Sequence, residues 1–300
     1  MFRHDKSKKL FLMRFIPEIP LWATCDSKDF RKKRCFNMLQ KFLPLMGIDP
    51  DSLGTSPDSL ISFENFQLNV TKEKQVEKNS NLPKYVCAKF GAAGLGALTD
   101  HGTKKIHGWE ENDYKITQNH GRGAMLYAFR NFMMKNVGVP LKELDTSGPH
   151  KITFSVFSAT RSRAKGFEHQ IEEVKNRFSS DEVEVGVYQM HELSAKEQIR
   201  IASESAIYIT SVGGGSFTAS FLPFGSSVFL YYDDVGGLNK SKPSNKPARL
   251  DWDIFNNDSH FRVHWLPMGM RSSKERMDSR KSLDSLVDLI RHELDVITHL

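Results

Sequence analysis

Short apolar runs alternate with longer amphipathic stretches through the second half of the chain. Residues 152–157 (ITFSVF), 183–188 (VEVGVY), 206–211 (AIYITS) and 226–232 (SSVFLYY) are rich in β-branched and aromatic residues. Short runs of that kind suit strands buried in a parallel sheet. Between the first two, residues 165–178 place Phe167, Ile171, Val174 and Phe178 on one side of a helix. Ser194-Ala-Lys-Glu197 is a capping box that opens another, running to about Ser205. Strand–helix alternation at this spacing predicts a parallel sheet with right-handed crossovers and helices on both faces. A last helix is expected near residues 279–299, with Leu283, Leu286, Leu289 and Ile290 on one face. It is expected to pack back on the first half of the chain.

That first half is less regular. Residues 28–42 read as a short helix whose Arg31-Lys32-Lys33-Arg34 run is a solvated face. Without aromatic interleaving it is not a nucleic-acid patch. Residues 84–90 (KYVCAKF) read as a strand leading into Gly91, Gly94 and Gly96, then Asp100 and His101. The glycine spacing is the reverse of the dinucleotide fingerprint, and no second strand ends in an acid at the required distance. A nicotinamide-dependent oxidoreductase is therefore excluded on spacing. Residues 121–137 read as a helix with Met125, Leu126, Phe129, Phe132 and Met133 facing a core. Pro140 and Pro149 give residues 138–150 linker character, which sets an N-terminal domain at 1–145 and a C-terminal domain at 150–300.

Composition narrows this picture only slightly. A chain of 300 residues with 39% hydrophobic positions and 21 Phe is globular and large enough for two domains. The net charge of +6 favours anionic ligands without naming one. Cys25, Cys35 and Cys87 form no Cys-x-x-Cys pair, which argues against a structural zinc site. No run approaches the roughly 18 apolar residues of a membrane span. The apolar patches near the amino end are too short for a signal peptide, so neither anchor nor targeting segment is seen.

The loops after the four strands carry the candidate chemistry, because in an open α/β sheet the carboxyl edge is the ligand edge. Arg161 and Arg163 follow the first strand, His191 and Glu192 the second, and Gly213-Gly214-Gly215-Ser216 the third. Two guanidinium forks suit a diphosphate, and a glycine turn before a short helix suits an anion near backbone N–H groups. The same turn also fits a second account, in which the glycines serve only close helix–strand packing.

At these residues the chain resembles glycosyltransferase family 61. Val212-Gly-Gly-Gly215 and Phe221-Leu-Pro-Phe-Gly225 stand where that family has a histidine-glycine-alanine-glycine turn and a Phe-Leu-Pro-x-Gly helix end. Ser158-Ala-Thr-Arg161-Ser-Arg163 looks like its serine and arginine loop. Leu250-Asp-Trp-Asp253 and Arg262-Val-His264-Trp-Leu-Pro267 are similar to its late segments. The likeness covers roughly half the chain, from Lys151 onward, and departs from the family at Val212, where histidine is usual.

The resemblance implies a GT-B-like α/β fold, two Rossmann-like domains facing a cleft. It implies an inverting transferase that moves a sugar from a UDP-sugar donor to a glycan or glycoprotein hydroxyl, in the endoplasmic reticulum or Golgi lumen. No cofactor is implied beyond the UDP-sugar substrate, and no metal, since helix N-termini and basic side chains can stabilise a leaving diphosphate. The donor set is then Arg161, Arg163, His191, Glu192, Gly213, Gly214, Gly215 and Ser216. Inversion needs one base, with Asp100 first, His101 second, and His107, Glu110 or His120 behind them. Val212 leaves open the alternative of a non-catalytic nucleotide- or glycan-binding relative. Asp233-Asp234 and the Asp251/Asp253 pair are read as a strand-terminal turn and a surface loop, not metal sites.

Overall fold

A computed structural model of the chain describes residues 41, 43–47, 122–156, 167–213, 215–232, 249–267 and 278–300. The chain divides into two compact units, Met1–Ala92 and Ala93–Leu300. In the first, the described residues include a 3-10 helix, Leu43–Met46, which buries Leu43 and Leu45. The helix expected at 28–42 lies there outside the described residues, except for Lys41, and the strand expected at 84–90 lies outside them entirely.

The second unit is α/β. Among its described residues the elements are helix α1 (Gly123–Asn136), strand β1 (His150–Ser155), α2 (Glu168–Arg177), β2 (Val183–Tyr188) and α3 (Ala195–Ser203). Then come β3 (Ile207–Ser211), a 3-10 helix (Ser216–Phe221), β4 (Ser227–Tyr232), α4 (Arg249–Asn257), β5 (Arg262–Pro267) and α5 (Asp278–Thr298). The five strands form one wholly parallel sheet in the order β2-β1-β3-β4-β5. The alternation read from the sequence is thus a parallel sheet. Its last strand, β5, is not announced by the sequence, because Arg262, His264 and Pro267 interrupt its apolar character and no residue from Arg262 to Pro267 is fully buried.

Local bonds fix the element ends where the sequence carries them. Ser194 accepts from the Glu197 backbone N–H at 3.2 Å, and the Glu197 carboxylate accepts in return from the Ser194 N–H at 2.9 Å. That reciprocal pair opens α3, as the capping box requires.

Alternation along the strands gives the sheet two faces. On one, Ile152, Phe154, Ile207, Ile209, Phe229 and Tyr231 form a single apolar cluster with residues of α2 and α5, among them Val174, Leu286, Ile290 and Ile297. Helix α5, for which the sequence suggested packing on the first half of the chain, lays its apolar face into this cluster, and Asp284 accepts from Arg177 of α2 at 3.0 Å. The other face carries α3, the 3-10 helix and α4. Thr153 meets Ser205 at 2.7 Å there, and the Phe255 and Trp265 rings lie 6.2 Å apart.

At the amino edge of the sheet one buried carboxylate ties three elements together. Glu293 of α5 accepts from the Ser227 hydroxyl at the start of β4 and from Arg262 Nε, at 2.6 Å, at the start of β5. His264 Nε2 lies 3.0 Å from its other oxygen. Burial pushes the Glu293 carboxyl up, but His264, Ser227 and Arg262 together outweigh burial and hold it at about 2.

Helix α1 turns a different face inward from the one its Met and Phe stripe predicts. Met125 and Phe129 are exposed, whereas Gly123, Arg130 and Met134 are buried. The cause is close approach: a Cβ at Gly123 would collide with the Ser259 side chain. Further along that face, Arg130 donates to the Phe221 carbonyl at 2.8 Å. Among the described residues no helix is long and apolar enough to cross a membrane.

Candidate functional site at the carboxyl edge of the sheet

Because all five strands are parallel, their carboxyl ends share one edge, and the strand order reverses between β1 and β3. The crevice outside such a reversal is the ligand position of open α/β sheets. Two segments leave the sheet there: the chain after Val156, following β1, and the glycine turn, following β3.

The turn begins where Val212 extends the β3–β4 pairing by donating to the Tyr231 carbonyl at 2.9 Å. Gly213 then takes φ +136°, which residues with a side chain rarely adopt. Its carbonyl receives both the Ser216 N–H at 2.9 Å and the Ser216 hydroxyl at 2.7 Å, and Thr218 N–H donates to Gly215 O at 3.4 Å. Ser216 is fully buried, so its side chain closes the turn from within. The turn passes directly into the six-residue 3-10 helix, tighter and shorter than an α-helix.

Two accounts of these glycines were open, close packing and ligand approach. Among the described residues, a Cβ built on Gly213 or Gly215 would meet nothing within 4 Å. At Gly215 the backbone, φ −75° and ψ −22°, suits any residue. Packing therefore requires neither glycine, and conformation requires only the first. At Gly213 and Gly215 no described residue stands against the backbone of the turn.

Beneath it lies a buried polar layer. Tyr208, fully buried in β3, directs its hydroxyl between those of Ser155 and Thr218 without a well-formed bond to either, and burial pushes its pKa up. Gln198 of α3 spans from the Leu193 carbonyl, 3.1 Å, to Thr218 Oγ1, 3.4 Å. These groups support the turn from the core side.

The remaining expected site residues are distributed unevenly. His191 and Glu192 lie in a 3-10 turn after β2, with Nε2 and Oε1 3.8 Å apart and side chains 49% and 62% exposed. Since β2 is the edge strand, β1 separates them from the glycine turn. Arg161, Arg163 and Gly214 lie outside the described residues, as do Asp100, His101, His107, Glu110 and His120.

Asp251, expected on a surface loop, instead lies in the first turn of α4, only 8% exposed, and burial pushes its carboxyl up to about 6. Ile254 and Phe255, three and four positions on, carry the helical signal that places it on an inward face.

A second group of buried ionisable residues gathers at the opposite, amino edge. Burial raises Asp258 to about 7 against the opposing hydrogen bond from Ser220, 3.0 Å. Burial also lowers His260 to about 4, helped by the positive charge of Arg130. Being on the far edge, that group is distant from the ligand position in strand terms. No family model matches the chain, and no curated protein matches it.

Proposed function

We propose that the chain is an inverting glycosyltransferase that binds a UDP-sugar at the carboxyl edge of its sheet and transfers the sugar to a glycan or protein hydroxyl. The observation that carries this reading is the glycine turn at the β1/β3 reversal, where no described residue stands within 4 Å of a Cβ built on Gly213 or Gly215. A diphosphate would lie against that backbone, where no side chain holds it off and peptide N–H groups can donate. Arg161 and Arg163 would take its outer oxygens from the loop after β1, with His191 and Glu192 toward the nucleoside. In this reading the fold is GT-B-like, with an acceptor-side domain contributed by the first half of the chain and the lumen of the endoplasmic reticulum or Golgi as its setting.

Charge dictates the order of events. The base, Asp100 or His101, removes the acceptor proton as that oxygen attacks the anomeric carbon on the face opposite the diphosphate. The bond to the diphosphate breaks, and its new negative charge falls on the arginines and the turn. A metal is not required for that stabilisation.

Valine at position 212 supports a second reading, a binding protein without transfer activity. Its side chain offers no donor to a phosphate, and its N–H is already given to Tyr231. Isothermal titration with UDP, UDP-N-acetylglucosamine and NAD tests the site. UDP is expected to bind and NAD not to, and loss of an arginine contact worth about 1.5–3 kcal/mol makes Arg163→Ala about tenfold to a hundredfold weaker. Unchanged affinity in that variant removes the donor-site assignment. UDP binding with neither transfer nor donor hydrolysis selects the second reading.

A further inference from the structure

A buried hydroxyl lies at the base of the strand-order reversal between β1 and β3. Tyr208 of β3 stands opposite Thr153 of β1 in the parallel register, on the sheet face that carries α3 and the 3-10 helix. Its ring leans toward the carboxyl edge. The phenol oxygen reaches the hydroxyl of Ser155, two residues beyond Thr153 and about 7 Å further on at the rise of a strand. On its other side stands the hydroxyl of Thr218, in the 3-10 helix. Burial pushes the Tyr208 pKa up, and both neighbours oppose that push. All three residues are buried, so the three oxygens converge away from water. Each neighbour belongs to one of the two segments that leave the sheet at the ligand edge. Ser155 ends β1, ahead of the stretch that carries Arg161 and Arg163. Thr218 donates its N–H to the Gly215 carbonyl at 3.4 Å and its hydroxyl to Gln198 Oε1 at 3.4 Å. One oxygen is thus shared between the end of β1 and the base of the glycine turn.

Among the described residues that oxygen makes no hydrogen bond of good geometry. A buried hydroxyl so placed has lost its water without regaining a full bond, and it adds little to the stability of the free protein. Bonds that are loose in a free site tighten when a ligand draws its walls together. We infer that Tyr208 is a positioning residue, whose hydroxyl sets the spacing of β1 and the glycine turn through Ser155 and Thr218 and gains full bonds when a diphosphate bridges them. This deepens the nucleotide-sugar reading and rests on it, naming the group that holds the two sides of the diphosphate site rather than one that touches the diphosphate. A tyrosine serving only the core gives the opposite pattern, helping the fold and not the ligand.

The test compares the parent with Tyr208→Phe, Ser155→Ala and the double variant. Tyr208→Phe removes the oxygen and keeps the ring. Urea unfolding reads stability, and calorimetry reads affinity for UDP and for inorganic pyrophosphate. Tyr208→Phe should unfold at an unchanged or higher urea concentration, while its UDP affinity falls about threefold to tenfold, the worth of one neutral hydrogen bond. The loss in the double variant should fall short of the product of the single losses, because the two substitutions break a shared bond. Unchanged UDP affinity in Tyr208→Phe, or single losses that multiply, overturns the positioning role and leaves the donor site standing. Affinity that falls only together with stability marks a tyrosine serving the core and overturns it as well. Should the parent fail to bind UDP, the nucleotide reading falls by itself. Pyrophosphate then decides: binding that weakens in Tyr208→Phe sustains the positioning role, and equal binding or none ends it.

Discussion

Glu293→Gln isolates one buried charge and gives a sharp test of how the amino edge of the sheet is held. The parent carboxylate accepts from Ser227 and from Arg262 Nε at 2.6 Å, with His264 3.0 Å away. Holding the carboxyl at about 2 instead of its ordinary 4.5 is worth about 3 kcal/mol of stability at neutral pH. Because Arg262 and His264 remain 31% and 26% exposed, solvent screens the pair, and about 2 kcal/mol is the better expectation. The sign comes from linkage. The folded pKa lies below the unfolded one, so the stabilisation is complete above about pH 4.5 and is lost as the pH falls toward 2. Glutamine keeps the shape and an acceptor oxygen but not the charge. Urea unfolding at pH 7, 5 and 3 should show the variant about 2 kcal/mol less stable at pH 7 and at pH 5, with the gap narrowing at pH 3. A gap that does not change between pH 5 and pH 3 would refute the assignment of that stability to the carboxylate charge.

Three further outcomes are expected. Gly215→Ala adds a methyl to open space in a conformation alanine accepts, so it should leave stability unchanged or raise it by about 0.4–1 kcal/mol. UDP affinity should nonetheless fall about tenfold by calorimetry, and a destabilised variant would restore the packing account of the glycines. Asp258→Asn should stabilise the protein by about 4 kcal/mol at pH 8 and little at pH 4, because a folded pKa near 7 means stability lost as the pH rises from about 4 through 7. Equal effects at both pH values in thermal melts would contradict this. Asp100→Asn or His101→Ala should cut transfer about 10²–10⁴-fold while UDP affinity survives, and parent rates in both would move the base to His107, Glu110 or His120.

The features legible in the sequence were those that depend on near neighbours. Ser194 and Glu197 announce their helix because both bonds close within four residues. Strands β3 and β4 announce themselves because every residue from Ile207 to Ser211 and from Ser227 to Tyr232 is buried. Three features depended on distant partners and were misread or missed. The inward face of α1 is chosen by Gly123 against Ser259 and by Arg130 on the Phe221 carbonyl, so a glycine and a cation outrank the Met and Phe stripe. Strand β5 is held by parallel pairing with β4 and by Glu293, which local apolar character does not reveal. Asp251 looked solvated beside Asp253, yet the packing of Phe255 on Phe217 and Trp265 brings its helix face inward. The glycine turn was found by its spacing. That close packing does not require Gly213 or Gly215 is visible only from the space around them among the described residues.

Helix α5 also sets an order of assembly. The apolar face formed by Ile152, Phe154, Ile207 and Ile209 is shared between Val174 of α2, which follows β1 in the chain, and Leu286, Ile290 and Ile297 of α5, residues from the opposite end of the sheet-forming region. During synthesis those strand residues leave the ribosome long before their cover does. The nascent sheet, with only α2 against that face, then carries a partly uncovered hydrophobic surface, the condition in which chaperones bind and misassembly begins. Contacts so far apart in sequence also make closure slow. Pulse-labelled hydrogen exchange on the refolding chain should therefore find β1 and β3 protected no earlier than α5. Strands protected well before the helix would mean that the face is covered by something else on the way.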